Sequence, residues 1–141
     1  MFLGEFEYKV DEKGRVPVPP RFRVQLRGGV VLAAGFEPCI VAYTIPEWKR
    51  ISQGLTSAIP SRSKLRRLSR ALFASAYSIN LDGQGRIALP ASLRLHAGIQ
   101  EEIIIAGANN YFELWDRQRW EEEKSQAREQ AWQIAEGLED R

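Results

Sequence analysis

An aspartate and an arginine stand four residues apart at two places in the chain. Asp11 precedes Arg15 in the segment DEKGR. Asp82 precedes Arg86 in the segment DGQGR, and Lys13 adds a positive charge to the first segment only. An outward guanidinium can donate two hydrogen bonds to O6 and N7 of guanine in the major groove, and it suits a phosphate nearly as well. These five residues are therefore candidates for a contact with DNA.

A purely structural interpretation of these segments is also open. Aspartate and glycine are common turn residues, and an exposed arginine can form a surface ion pair that contributes little to stability. A turn of this kind needs its glycine but tolerates many polar neighbours. Because turn formation does not require an outward arginine twice, the duplication favours a binding role for both Asp–Arg pairs.

The two segments belong to a longer internal repeat. Residues 11–23 and 82–94 are identical at five of thirteen positions at an offset of 71, and the apolar positions between them are in phase. Such self-similarity indicates a duplicated structural unit. We therefore predict a first half at 1–59, a linker helix at 60–76, and a second half with a C-terminal helix at 77–141.

Each half has the same predicted order of elements, which indicates an α+β fold. Alternating apolar and polar residues predict strands on both sides of each turn, with Arg15 and Arg86 facing outward. Gly14 and Gly85 suit the left-handed last position of a three-residue hairpin loop. Proline then opens a short helix that should end at Gly28 or Gly98. The remaining predicted elements are strands at about 30–34, 39–44, 102–106 and 111–115, a helix from Pro46 to Pro60, and helices at 61–76 and about 117–136, the last with a frayed end.

Composition places the chain among globular proteins. Hydrophobic residues make up 44% of the 141 residues and charged residues 27%, as in ordinary folded domains. Uncharged stretches are far shorter than the roughly 18 apolar residues of a membrane helix, and the N-terminus does not resemble a secretion signal. The single cysteine, Cys39, cannot form an internal disulfide, which favours the cytoplasm.

Charge is unevenly distributed along the chain. Residues 116–141 carry eight acids and five bases, a net charge of −3, whereas 49–70 contain seven bases and no acid. A basic body suggests a polyanionic partner, although a solvated helix face looks similar. Two interpretations of the basic stretch stay open, contact with phosphates or the wet side of an amphipathic linker helix. Its bases are Arg62, Lys64, Arg66, Arg67 and Arg70.

Several residue sets that enzymes use are missing from the sequence. The one histidine, His96, is far in sequence from Cys39, and neither metal-ligand spacing, a phosphate-binding P-loop nor a GxSxG motif occurs. Asp11 and Asp82 each have an arginine nearby, which favours a permanently ionised carboxylate over a tuned acid. We therefore expect neither an enzyme nor a metal, cofactor or small-molecule substrate.

Three segments resemble one known family over nearly the whole chain. MFLGEFEYKVDEKGRVPVPPRFR, LSRALFASAYSINLDGQGRIALPASLRLHAGI and YFELWDRQRWEEE are similar to the bacterial MraZ proteins. The family's DxxxR motif falls on Asp11 and Arg15 and again on Asp82 and Arg86, and Lys13 matches its first copy.

This resemblance implies a fold, a target and an assembly. The fold would be of the swapped-hairpin, AbrB-like class, with two halves interleaved into a β-barrel in one chain. The protein would be a transcriptional regulator in the cytoplasm, on the nucleoid, binding double-stranded DNA. Its target would be short G-rich direct repeats upstream of the division and cell-wall gene cluster, which includes its own gene. It would assemble into a ring-like homo-oligomer.

Three functional hypotheses follow. The leading one is a sequence-specific DNA-binding regulator that uses Arg15 and Arg86. The alternative is a ring-forming structural or nucleoid-associated protein without sequence specificity, in which the basic helix and the acidic tail join subunits. An enzyme using Asp11 or Asp82 is the weakest hypothesis, because no nucleophile or metal set accompanies these carboxylates.

Overall fold

The computed structural model describes residues 1–139, with side chains described up to residue 138. Strands and helices alternate along this part of the chain in an α+β arrangement. The strands are β1 (Glu5–Lys9), β2 (Arg15–Pro17), β3 (Val30–Ala34), β4 (Ile40–Thr44), β5 (Tyr77–Ile79), β6 (Arg86–Ala88), β7 (Glu102–Gly107) and β8 (Tyr111–Asp116). The helices are α1 (Pro20–Arg23, continued by a 3-10 turn at Val24–Leu26), α2 (Ile45–Ala58), α3 (Arg62–Leu72), α4 (Ala91–Ala97) and α5 (Arg117–Glu139).

Strands from the two halves of the chain pair with each other. The larger sheet is antiparallel with the order β1-β7-β8-β4-β3-β5, so β1 pairs with a strand of the second half and β5 with a strand of the first. The smaller sheet is an antiparallel ribbon of β2 and β6, one strand from each half. Neither half completes its own sheets.

The predicted hairpins are local turns whose strands then separate. The first turn forms as expected, with Asp11 N donating to Arg15 O at 2.8 Å and Gly14 N donating to Asp11 O at 3.0 Å. Beyond the turn, β1 continues into the larger sheet and β2 into the ribbon. The expectation that β1 and β2 form one two-stranded hairpin is therefore wrong, because each strand finds a partner in the other half.

One apolar core lies between the ribbon, the larger sheet and helices α1 and α4. Val16 and Ile87, which face each other in the ribbon, are fully buried. Phe2, Phe22 and Phe112 meet in the same core, with ring centroids 4.9–5.2 Å apart. Successive residues of a strand point to opposite faces. Because Val16 and Ile87 point into the core, their neighbours in β2 and β6 lie on the outer face of the ribbon, which is open to polar side chains.

Helix ends agree with the predictions in part. Gly98 ends α4 in the left-handed conformation at φ 65°, as expected. In the first half the helical segment ends at Leu26, and Gly29 rather than Gly28 takes a positive φ, 107°, with its N–H donating to Leu26 O at 2.9 Å. Helix α3 ends at Leu72 rather than at 76, since the chain must turn there to bring β5 beside β3. Ser75 Oγ makes this turn by donating to Leu72 O at 3.1 Å.

The C-terminal helix is anchored by its first turns. Trp120 Nε1 donates to Glu5 Oε2 at 3.0 Å, and Lys124 Nζ lies 2.8 Å from Glu5 Oε1. From residue 125 to 138 every side chain is exposed. Helix α5 runs to Glu139, three residues beyond the predicted end, and the last two residues of the predicted frayed end lie outside the described residues. In the part of the chain described, none of the helices combines the length and the apolar character that crossing a membrane would take.

Two glycine substitutions test how the N-terminus closes the core. A Cβ atom on Gly107 would overlap the Phe2 carbonyl group and lie 2.7 Å from Leu3 N, whereas one on Gly54, inside α2, meets nothing within 4 Å. We expect Gly107→Ala to lower the free energy of unfolding by about 1–3 kcal/mol. Gly54→Ala should raise it by about 0.5–1 kcal/mol through helix propensity. Chemical denaturation of both variants measures the two effects, and a neutral Gly107→Ala would contradict this packing.

Candidate nucleic-acid interface

The β2–β6 ribbon brings the two predicted arginines onto one surface. Arg15 lies opposite Ala88, and Arg86 lies opposite Pro17, two residues further along the ribbon. Since Val16 between them points into the core, Arg15 and Arg86 share the outer face. The two turns, which we call the first tip (residues 11–15) and the second tip (82–86), lead into β2 and β6 from opposite ends of this short antiparallel ribbon. Arg86 Nη1 is 3.9 Å from Asp11 Oδ2 of the first tip.

Asp11 organises the first tip. Its Oδ1 accepts hydrogen bonds from the backbone N–H groups of Lys13 and Arg15, both at 2.9 Å. Its Oδ2 accepts a third bond from Arg15 Nε at 2.8 Å. Gly14 completes the turn at φ 76°, a conformation that residues with a Cβ rarely adopt. The carboxylate therefore fixes both the turn and the arginine side chain that follows it.

Asp82 repeats this arrangement in the second tip. Its Oδ1 accepts from the N–H groups of Gln84 and Arg86 at 2.9 Å, and its Oδ2 accepts from Arg86 Nε at 2.8 Å. Gly85 takes a φ of 74°. The bonds match those of the first tip in partner atoms and in length, so the sequence repeat is preserved as geometry. The one chemical difference is the side chain at the middle of the turn, where the second tip has Gln84 and the first has Lys13.

Both guanidinium groups are held at the surface by Nε, and their other edge makes no hydrogen bond to the described residues, although Arg86 Nη1 lies within ion-pair distance of Asp11. The side chains of Arg15 and Arg86 are 30% and 24% exposed. In each, Nε bonds to the aspartate of its own tip, and the Nη1 and Nη2 amino groups have no hydrogen-bond partner within residues 1–138. Two donors per arginine thus remain available to an acceptor outside the chain. Lys13 is also exposed, and its backbone N–H rather than its ammonium group contacts Asp11.

Hydrogen bonding keeps both carboxylates ionised. The backbone N–H of Arg15 is the largest cause that lowers the pKa of Asp11, and its guanidinium lowers it further. The same groups of Arg86 lower the pKa of Asp82 in the same order. A carboxylate with a lowered pKa is charged at neutral pH and accepts bonds only. A carboxylate that stays ionised in this way can position the arginine but is not suited to act as a general acid.

The basic helix α3 has its charges in solvent. All five predicted bases, Arg62, Lys64, Arg66, Arg67 and Arg70, are exposed, and none forms an ion pair with the residues described. Leu65 and Leu68 are half-buried and Leu72 is buried on the opposite side. This is the amphipathic pattern that the sequence predicted, and it is compatible with both interpretations of the basic stretch.

Cys39 and His96, which the sequence analysis considered, have structural roles, and one exposed tryptophan does not. Cys39 is buried, and burial raises the pKa of its thiol, which makes it unreactive. His96 lies at the end of α4, and its Nε2 lies 3.0 Å from Gly35 O and 3.2 Å from Glu37 O, so it ties this helix to the β3–β4 loop. Trp132, by contrast, is 69% exposed and packs against nothing in the core. Among the residues described, no cluster of three or more side chains could hold a metal ion.

Two further arginines lie against the tips, although the sequence pattern predicts no role for them. Arg23 and Arg94 occupy equivalent positions in the two copies, and each guanidinium lies against the glycine of the tip in the other half. Their identity at equivalent positions was the only signal in the sequence. This identity could not show that each arginine contacts the tip glycine of the opposite half.

Titration of the tip carboxyls tests the proposed hydrogen bonding. We expect Asp11 and Asp82 to titrate below the ordinary aspartate value of about 3.9 in a carboxyl-carbon NMR experiment. Arg15→Ala removes the Nε bond but keeps the backbone N–H of residue 15, so the pKa of Asp11 should rise only part of the way. Because the folded pKa is the lower one, these carboxylates stabilise the tips above the unfolded value, and this contribution is lost as the pH falls through the folded value. A complete return of Asp11 to the ordinary value in Arg15→Ala would contradict the dominant role of the amides.

Comparison with known proteins gives the family. A family model described as "MraZ protein, putative antitoxin-like" matches residues 1–70 and again 72–141. A "Transcriptional regulator MraZ" of Dehalococcoides mccartyi is 55% identical over 141 residues, covering 99% of both chains. Proteins of the same description from Pediococcus pentosaceus and Roseiflexus sp. are 39% and 40% identical, covering 98% and 86% of this chain and 96% and 85% of theirs. The chain, with its two tandem MraZ domains, belongs to the MraZ family, whose members are transcriptional regulators and not enzymes.

Proposed function

We propose that the protein is a sequence-specific DNA-binding regulator of transcription. Its target would be short G-rich direct repeats upstream of the division and cell-wall gene cluster, which includes its own gene. It would act in the cytoplasm, on the nucleoid, without a cofactor, metal, membrane or small-molecule substrate. The observation that carries the proposal is the shared outer face of the ribbon, where two arginines are held by identical aspartate contacts.

The free edge of each guanidinium suits guanine. With Nε engaged by aspartate, Nη1 and Nη2 of Arg15 and Arg86 remain as a pair of donors. O6 and N7 of guanine accept such a pair in the major groove. We call this pair of donors the fork of each arginine. Because the fork is held in place before binding, the contact costs less side-chain entropy. Asp11 and Asp82 act here as positioning groups, and Lys13 adds a phosphate contact from within the first tip.

The strand exchange supports a particular fold class. We propose that the interleaved halves form a β-barrel of the swapped-hairpin, AbrB-like class, divided into a first half at 1–59, a linker at 60–76 that contains α3, and a second half at 77–141. The pairings β1–β7, β3–β5 and β2–β6 all join the two halves. Such interleaving makes both tips parts of one rigid surface.

A ring-like homo-oligomer completes the proposal. Exposed apolar side chains on the distal part of α5 offer a contact for a second copy, with Trp132, Ile134 and Leu138 exposed by 69%, 63% and 63%. Ile134 and Leu138, four residues apart, share one face of the helix, whereas Trp132 lies on another face; exposed apolar groups of this kind can mark an interaction site. A ring would read several direct repeats at once, since linked sites raise the effective concentration without new contacts.

The second candidate function rests on the same helix. A ring-forming structural or nucleoid-associated protein without sequence specificity needs only subunit contacts and non-specific phosphate binding. The exposed distal α5 and the exposed bases of α3 favour it. The two functions differ in whether the tips discriminate between duplexes.

Substitution of the first tip arginine distinguishes the two functions. Arg15→Ala should cost about 1–3 kcal/mol of discrimination between a G-rich repeat duplex and a scrambled duplex. Mobility-shift titrations with both duplexes at one salt concentration measure this difference. Arg62→Ala, which removes an exposed charge from α3, is the control and should leave the ratio of the two affinities unchanged. If Arg15→Ala weakens binding to both duplexes equally, Arg15 contacts only the DNA backbone.

Substitution within distal α5 tests the assembly. Ile134→Lys places a charge among the exposed apolar side chains and should lower the particle mass measured by light scattering after gel filtration. Gln133→Lys adds the same charge to a neighbouring exposed polar position and should leave the mass unchanged. A wild-type monomer, or an Ile134→Lys particle of undiminished mass, would refute the role of this helix.

A further inference from the structure

Each tip glycine is covered by an arginine from the other half of the chain. Arg94 of α4 lies against Gly14, where a Cβ atom would come 3.2 Å from Arg94 Cζ. Arg23 of α1 lies even closer to Gly85, where a Cβ atom would overlap Arg23 Nε. The absence of a side chain at these glycines therefore serves two needs, the positive φ of the turn and the close approach of a guanidinium.

Backbone hydrogen bonds cross between the halves at the same glycines. Val18 N donates to Gly85 O at 3.0 Å, and Leu89 N donates to Gly14 O at 2.8 Å. The residue that follows β2 thus holds the second tip, and the residue that follows β6 holds the first. Each tip is fixed from the side of the opposite half.

The second tip is held by a closed set of contacts. Arg23 Nε donates to Val18 O at 2.8 Å, while Val18 N bonds to Gly85 O and the Arg23 guanidinium lies on Gly85. Val18 is fully buried, so this anchor is connected to the core. Arg23 therefore links the core of the first half to the turn that carries Arg86.

The equivalent contacts at the first tip lack one bond. Arg94 Nε is buried and has no hydrogen-bond partner within residues 1–138, although Leu89 N still bonds to Gly14 O. A buried donor without a partner lowers the stability of the arrangement that contains it. Arg94 should accordingly hold the first tip less firmly than Arg23 holds the second.

We infer that Arg23 and Arg94 are positioning residues that act across the halves, Arg23 on the tip that carries Arg86 and Arg94 on the tip that carries Arg15. The role in DNA binding rests on the proposed function, whereas the crossed control of tip geometry does not. Removal of one of these arginines disorders the tip in the opposite half and leaves the tip in its own half intact. The effect is larger for Arg23.

Amide hydrogen exchange without DNA tests the crossed control. Arg23→Met keeps the length of the side chain and removes the guanidinium. It should speed exchange of the Gly85 and Arg86 amides about tenfold, equivalent to about 1.4 kcal/mol, and leave those of Gly14 and Arg15 unchanged. Arg94→Met should do the reverse, with a smaller change. Arg21→Met, at an exposed position of α1, is the control and should change neither tip.

The lysine variants keep the test decisive if a methionine variant does not fold. Arg23→Lys and Arg94→Lys retain the charge but not the planar fork, and they should show the same crossed pattern with smaller changes. Faster exchange in the tip of the same half, equal changes in both tips, or no change in either would overturn the inference.

Double-mutant cycles with DNA connect the positioning role to binding. In an Arg86→Ala background, Arg23→Met should lower affinity for the G-rich duplex by less than twofold, because the tip it holds has already lost its fork. In an Arg15→Ala background, Arg23→Met should keep its full effect. Additive effects in both backgrounds, together with unchanged amide exchange, would show that Arg23 contacts DNA directly and would overturn the inference. A crossed exchange pattern without any duplex preference would instead refute only the proposed function.

Discussion

The structure depends on one small constellation, a carboxylate that accepts two turn amides and one guanidinium nitrogen. Each such bond to an ionised acceptor is stronger than a neutral one, and together they convert a flexible arginine into an oriented pair of donors. The aspartate cannot do this alone, because the turn needs a residue that tolerates positive φ. The core must also present the turn at the surface. The geometry of the DxxGR segments therefore depends on the packing of both halves.

Strand exchange between the halves provides the packing on which the tip geometry depends. The inner residues of the ribbon, Val16 and Ile87, are buried only because β2 and β6 come together from different halves. Since burial of apolar area is the main force that holds the ribbon, neither tip can keep its geometry without the other half. Duplication within one chain thus places two equivalent forks at a fixed separation, which a protein with a single copy could achieve only by dimerisation.

Local features were predictable from the residue pattern, whereas pairing between the halves was expected only from the family resemblance. Alternation placed the strands, proline opened the short helices, and Gly14, Gly85 and Gly98 take left-handed conformations as their positions indicated. The same alternation is satisfied by a hairpin partner or by a strand 70 residues away, so it could not choose β6 for β2. The helix ends near Gly28 and residue 76 were misplaced. The first helical segment stops at Leu26 with the positive φ at Gly29, and α3 stops at Leu72, where the chain turns toward β5. The covering roles of Arg23 and Arg94 depend on contacts between halves, which no local pattern contains.

Replacement of guanine by 7-deazaguanine in the G-rich duplex tests most directly whether the two forks read the base. This change removes N7 as an acceptor and leaves the phosphates intact. The wild-type protein should bind the modified duplex about tenfold more weakly or worse, as expected for losing a bidentate contact, and the double variant Arg15→Ala/Arg86→Ala should bind both duplexes equally. Equal wild-type affinity for the two duplexes would contradict the account and leave the arginines as phosphate contacts only.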